Sequence, residues 1–150
     1  LPVFGVVYAP ALNEMYWGSI EKGAFKSIAG DSFNPIRVKS QLNNPVQIAT
    51  SRSHPSSKMD NFLAQFDTFD LHPMGSSLKV CLVADGSVHF YPRLGPTMEW
   101  DTAAAHAVLR AADGEIIKYG TNEPLEYNKR NLLNPEFIAG NTHNIQSLKR

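Results

Sequence analysis

The sequence contains one cysteine, Cys81, among 150 residues. A single thiol excludes an internal disulfide and any zinc site built on cysteines. There is no excess of charge: 14 Lys+Arg stand against 14 Asp+Glu. Without a basic surplus to drive counterion release, the balance argues against a nucleic-acid binder that works by phosphate neutralisation. No apolar run approaches the roughly 18–20 residues of a membrane span; the longest falls within Val80 to Ala84. The first residues, Leu1-Pro2-Val3-Phe4, bring neither an initiator Met nor a basic n-region. They lack the signal-peptide pattern, so the chain is expected to begin in mid-protein, with a cytoplasmic location as the default. Gly-rich phosphate loop, Gly-x-Ser-x-Gly elbow and His-Glu-x-x-His are all missing. The histidines at 54, 72, 89, 106 and 143 do not cluster at metal-ligand spacing.

What is present fits one folded domain. About 43% of residues are hydrophobic and 19% charged, which argues against disorder. Pro2 to Tyr8 is β-branched and aromatic, and Asn13 to Ser19 reads as its antiparallel partner. Ala24-Phe25 follows the Glu21-Lys22-Gly23 turn. Residues 1 to about 27 therefore predict a short meander at the edge of a larger sheet. Alone it would expose an unpaired strand edge, a liability for self-association. Residues 29–45 form a Gly-, Ser-, Asn- and Pro-rich connector with a short strand at Ile36-Arg37-Val38. Strands are expected at Val46 to Thr50, in Phe66 to Leu71, at Val88 to Tyr91 closed by Pro92, at Glu115 to Tyr119 and within Asn134 to Gly140.

Helical periodicity places Met59, Phe62, Leu63 and Phe66 on one face, behind Pro55 in a first turn. Gly75 to Gly86 predicts a helix with almost no polar face, hence buried. Trp100 to Ala112 predicts another, with Trp100, Ala103, Ala104, Ala107, Val108 and Ala111 on its apolar stripe and Asp113-Gly114 at its end. Strands alternating with helices give an α/β class for residues 45–140. The chain divides into terminal strands of a first sheet (1–27), an α/β domain (28–140) and a polar, frayed tail (141–150).

Five residues stand out chemically. Asp101 lies in the first turn of a helix, where a carboxylate complements the dipole or serves a hard cation such as Mg²⁺. Lys79 sits inside an otherwise apolar helix and must either snorkel to solvent or meet an anion. Ser76, with Ser77, stands at that helix's start, where small hydroxyls cap the helix or help hold an anion. Arg93 lies in a stiff Pro-flanked loop suited to bidentate phosphate contact or simply to solvent. His54 follows a strand within Ser51-Arg52-Ser53-His54, at the end of a sheet where ligands gather. One carboxylate such as Asp101 cannot hold a catalytic metal pair by itself.

The run Trp100-Asp101-Thr102-Ala103-Ala104 resembles the C-terminal signature of the inositol monophosphatase superfamily. Gly75-Ser76-Ser77-Leu78-Lys79, Phe90-Tyr91-Pro92-Arg93 and Gly95-Pro96-Thr97 resemble the bacterial 3′(2′),5′-bisphosphate nucleotidase branch. So do Gly5 to Pro10, Ser51 to His54 and Leu132-Leu133-Asn134-Pro135. The motifs run in order from Pro2 to about Phe137. Two positions depart: Ala105 stands where the signature has Gly, and Asp113 interrupts its Ala-Gly-Gly end.

The resemblance implies the C-terminal half of a layered α-β-α-β-α sandwich, with a mixed sheet and flanking helices. It implies a Mg²⁺-dependent phosphatase that hydrolyses 3′-phosphoadenosine 5′-phosphate, the by-product of sulfate assimilation, to AMP and phosphate. Asp101 would bind metal. Ser76, Lys79 and Arg93 would line the adenosine bisphosphate site, with His54 toward the nucleoside. The family's Asp-Pro-x-Asp-Gly-Thr motif and metal-binding Glu belong to an N-terminal half that is missing here and would be the partner of this one, so the chain alone is expected to be inactive. Two other readings stay open: an inositol-monophosphatase-type sugar-phosphate phosphatase, and a non-catalytic nucleotide-binding module.

Overall fold

The computed structural model describes residues 1–51 and 56–149. The chain opens with an antiparallel meander: β1 (Phe4–Ala9), β2 (Glu14–Ser19), β3 (Gly23–Ile28) and β4 (Asn34–Ile36), in that spatial order. β4 lies two residues earlier than the sequence predicts, and it extends the first sheet by pairing Ala24 with Ile36. The connector therefore returns to the sheet it leaves.

The rest alternates strands and helices: β5 (Val46–Thr50), α1 (Ser57–Leu63), β6 (Phe69–Pro73), α2 (Leu78–Ala84), β7 (Phe90–Arg93), β8 (Thr97–Met98), α3 (Glu99–Ala111), β9 (Glu115–Lys118), β10 (Leu133–Asn134), β11 (Phe137–Gly140) and α4 (Thr142–Gln146). A five-stranded mixed sheet has the order β6-β5-β7-β11-β9. β5 runs parallel to β6 and β7, whereas β11 is antiparallel to β7 and β9.

Alternation along these strands separates two cores. Ala49, Tyr91, Ile116, Phe137 and Ala139 face the layer formed by α2 and α3. Ile48, Phe90, Ile117 and Ile138 face the other way, onto Phe62 of α1 and Ile145 of α4. The layers are thus sheet, helices, sheet, helices: a mixed α/β architecture. The expected face of Met59, Phe62, Leu63 and Phe66 packs on the second core, and the Ser56 hydroxyl caps α1 by accepting from the Met59 N–H at 3.2 Å. Pro55 lies outside the described residues.

α3 touches both layers, and this corrects the predicted stripe. Ala104, Ala107, Val108 and Ala111 meet the first sheet through Gly5 and Gly18. A methyl group at Gly18 would lie 2.8 Å from both the Ala111 Cβ and the Val108 Cα. The opposite side, with Thr102, Ala105, His106 and Leu109, is also buried. Trp100 is 67% exposed, because no element of the described residues lies over that end of the stripe. The α2 expectation holds: its Lys79, Val80, Cys81, Val83 and Ala84 are all buried.

Three further expectations change. β7 runs through Pro92 to Arg93 instead of ending there, since β5 pairs with it only at Phe90 and no ladder demands the missing N–H. The last strand splits into β10 and β11. The tail is not frayed: the Asn141 side chain caps α4 by accepting from the Asn144 N–H, and Ile145 and Leu148 enter the second core.

Candidate functional site

The ends of four elements converge on one cavity of about 260 Å³. Ser76, Ser77 and Lys79 come from the start of α2, Tyr91 and Arg93 from β7, and Thr97, Asp101 and Thr102 from β8 and α3. Four of the five sequence candidates therefore line one cavity. The fifth, His54, lies outside the described residues.

Lys79 does not snorkel. It is 5% exposed, and its Nζ donates to the carbonyls of Met74 and Ser76, both at 3.0 Å. The ammonium also sits 5.3 Å from the centre of the Tyr91 ring, within cation–π range. Burial, reinforced by the nearby Arg93 charge, pushes its pKa down to about 8. Ser76, whose carbonyl accepts from Lys79, adopts a left-handed backbone, φ +55, which is costly for a non-glycine residue. Ser77 occupies the cap position of α2 but makes no capping bond with its hydroxyl, so the plain capping role is not realised there.

Arg93 is not a free loop side chain either. It closes β7, and its guanidinium donates to Ser51 Oγ and the Pro96 carbonyl, each at 2.9 Å. Its Nε is buried with no hydrogen-bond partner among the described residues, a donor left over in a site already positive. Two fixed cations in one cavity favour an anion.

Asp101 fulfils its helix role while facing this cavity. Its Oδ2 accepts the Met98 N–H at 2.8 Å, closing the first turn of α3. The same turn is tied down by Glu99, which sequence reasoning missed. Glu99 accepts from the backbone N–H groups of Asn128 (2.7 Å) and Lys129 (3.0 Å) and from Lys129 Nζ (2.6 Å). The Lys129 bond holds this carboxyl below the usual carboxylate range. As a donor, Asp101 suits a hard cation, but one carboxylate supplies one ligand. No group of three metal-ligating side chains occurs among the described residues. Tyr91, Thr97, Thr102 and Phe137 also line the cavity; the first three lie inside the quoted motifs, but only the fold shows that they face it.

Both departures from the signature are accommodated. Ala105 is 1% exposed and its methyl is part of the core. Asp113 takes a left-handed conformation natural to glycine, φ +66, and pairs with Arg37.

The Inositol monophosphatase family pattern matches residues 1–149. The 3′(2′),5′-bisphosphate nucleotidase CysQ of Escherichia coli K12 is 41% identical over 139 residues, 91% of this chain and 54% of that protein. The CysQ of Aggregatibacter actinomycetemcomitans is 39% identical over 146 residues, again 54% of its length. The chain thus spans about half the length of these relatives. The crystal structure of CysQ from Bacteroides thetaiotaomicron superposes with a TM-score of 0.85 at 36% identity, covering 95% of this chain and 59% of that one. An inositol monophosphatase from Anabaena shares the fold, at a TM-score of 0.73 and 23% identity.

Proposed function

Because the chain belongs to the inositol monophosphatase family, a family of phosphoric monoester hydrolases, we propose that it carries the phosphate-binding half of a bisphosphate nucleotidase site. Its substrate in the whole protein is 3′-phosphoadenosine 5′-phosphate, which is cleaved to AMP and phosphate in the cytoplasm, downstream of sulfate assimilation. The observation that carries this reading is the presence of Lys79, Arg93 and Asp101 together in the lining of one cavity. The cations take the phosphate oxygens, Lys79 as a point charge and Arg93 as a fork held by Ser51 and Pro96. Ser76 and Thr97 offer hydroxyls to the same ligand.

A divalent cation, Mg²⁺ in this proposal, would use Asp101 as one ligand, with the other ligands drawn from a further, N-terminal portion of the protein. The metal supplies charge stabilisation and an activated water. The residues of this chain bind and orient the phosphate and hold Asp101 in place. The 150-residue chain by itself is therefore expected to bind but not to hydrolyse.

The nucleotide reading is favoured over a sugar-phosphate reading because a bisphosphate nucleotidase matches at 41% identity, whereas the Anabaena inositol monophosphatase structure matches at 23%. Calorimetric titration with adenosine 3′,5′-bisphosphate, AMP and inositol monophosphate tests it. Adenosine bisphosphate should bind most tightly, and Arg93→Ala should weaken it. Preference for inositol monophosphate would overturn the nucleotide assignment. Mg²⁺-dependent phosphate release by this chain, lost in Asp101→Asn, would overturn the expected inactivity.

A further inference from the structure

Behind the cavity wall runs a continuous chain of buried polar side chains. Thr102 is its hub. Asn134 Nδ2 donates to Thr102 Oγ1 at 3.1 Å and to the Met98 carbonyl at 2.9 Å. Tyr127 OH lies 3.2 Å from Thr102 Oγ1 and 2.8 Å from His106 Nδ1. His106 has no exposed surface, and its Nε2 bonds to Glu115. Arg110 Nε stands 3.4 Å from the same carboxylate.

Proton counting gives this chain a direction. Glu115 accepts from the Ile116 N–H and faces Arg110, so it is an ionised acceptor and His106 Nε2 must carry a proton. Burial disfavours the charged imidazole and outweighs the carboxylate beside it. Nδ1 is then a bare acceptor, and Tyr127 spends its only proton on it. The Tyr127 oxygen is left to accept from the Thr102 hydroxyl, which has the Glu99 carbonyl, also at 3.2 Å, as its other acceptor and takes Asn134 on its lone pairs. His106, two side chains away, thus draws the Thr102 hydroxyl toward Tyr127 and away from the Glu99 carbonyl. Met98 is meanwhile gripped at both ends, its carbonyl by Asn134 and its N–H by Asp101.

We propose that His106, acting through Tyr127, is a positioning residue: it orients the Thr102 hydroxyl and, with Asn134, locks the turn that aims Asp101 at the cavity. What the cavity binds rests on the phosphate reading above; the linkage from His106 to Asp101 does not. A chain that served stability alone could be replaced by apolar groups at little cost. One that ends on a cavity-lining hydroxyl transmits geometry to whatever binds there.

Tyr127→Phe keeps the shape and cuts the chain on both sides. Amide hydrogen exchange of Met98, read by NMR, should quicken by about tenfold, while the amides of β11 (Phe137–Gly140) keep their protection. AMP affinity should fall several-fold. His106→Leu should reproduce both effects, and His106→Asn, which restores an acceptor for Tyr127, should reverse them. Unchanged Met98 exchange in Tyr127→Phe overturns the proposal whether or not AMP binds. Loss of protection spread evenly into β11 overturns it as well, because that is plain destabilisation. So does an AMP affinity equal to wild type when Met98 is deprotected. Selective deprotection of Met98 in a chain that binds no AMP at all supports the positioning linkage and removes the phosphate reading instead.

Discussion

Lys79 Nζ lies over the Tyr91 ring, 5.3 Å from its centre, and is held there by two backbone carbonyls. Among the described residues it has no carboxylate partner. A buried cation without a counter-ion is costly, and a bound phosphate would offset that cost. Lys79→Met should therefore weaken adenosine bisphosphate binding by tenfold or more, roughly the worth of a charge-assisted hydrogen bond. Its urea midpoint should not fall. Wild-type affinity should decline as pH rises through about 8, where the free ammonium deprotonates. Lys79→Arg, if it binds, should lose that decline. A flat pH profile in the wild type would show that Lys79 does not carry the anion.

Helix α3 approaches the first sheet closely because two glycines let it. A Cβ at Gly5 would lie 2.9 Å from the Ala107 Cβ, and one at Gly18 would lie 2.8 Å from the Val108 Cα. The second contact is with backbone, as is the nearest contact of a Cβ at Gly5, the Ala104 carbonyl oxygen, and neither can be relieved by a rotamer change. Gly18→Ala should cost about 1–3 kcal/mol, read as a lower denaturation midpoint with an unchanged m-value. The pair Gly18→Ala and Ala111→Gly should recover part of the loss, since Ala111 Cβ is the other neighbour.

This contact also shows how far the sequence could be read. The alanines of α3 announce a tight helix face, and Gly5 and Gly18 announce strands that tolerate one, but nothing local says that they meet. Trp100 misled because periodicity places residues on a helix face and not under a neighbouring element. β4 and the continuation of β7 through Pro92 depend on which strand lies alongside, a non-local fact. The site was more legible: Ser76, Lys79, Arg93 and Asp101 stand in motifs at the ends of elements, and the fold brings those ends together. Glu99, His106 and Tyr127 escaped notice because their roles are hydrogen bonds between segments far apart in the chain.

Asp113 bends the chain at the end of α3 with φ +66, a conformation natural to glycine and strained by about 1 kcal/mol or more for most other residues. Its compensation is the pair with Arg37, whose side chains are 77% and 58% exposed, and exposed pairs contribute little. Asp113→Gly should leave stability unchanged or raise it by up to about 1 kcal/mol, whereas Asp113→Val should lower it. A clear loss in Asp113→Gly would mean that the Arg37 pair is worth more than its exposure suggests.

His89 sets an acid limit. Its Nδ1 accepts the Gln47 N–H at 2.9 Å and its Nε2 faces Asn43 Oδ1 at 2.8 Å, an arrangement that requires a neutral ring. Burial, then the nearby Lys39 charge, lowers its pKa. With the folded pKa below the unfolded value of about 6.5, the unfolded chain takes up the proton first. The stabilisation is complete above that value and is lost as pH falls below it. His106 shifts the same way through burial. Denaturant midpoints should therefore drop between about pH 7 and 5, and the drop should shrink in His89→Gln. An identical slope in the variant would assign the acid sensitivity elsewhere.

The free edge of β1 yields a prediction about association. The Ile20 N–H donates to the Val3 carbonyl, so Val3, Gly5, Val7 and Ala9 turn their backbone groups toward β2. Phe4, Val6 and Tyr8 turn theirs outward, on the side where the first sheet has no further strand. Their side chains are 60%, 46% and 51% exposed, and β1 contains no charge and no proline to discourage pairing. Two copies related by a two-fold at Val6 would align Phe4 with Tyr8 in antiparallel register. Sedimentation of the 150-residue chain should show concentration-dependent self-association. Val6→Lys should reduce it, and so should Val6→Pro, which removes only an outward N–H. A strictly monomeric profile at high concentration would mean that the edge is protected by something other than its own strand.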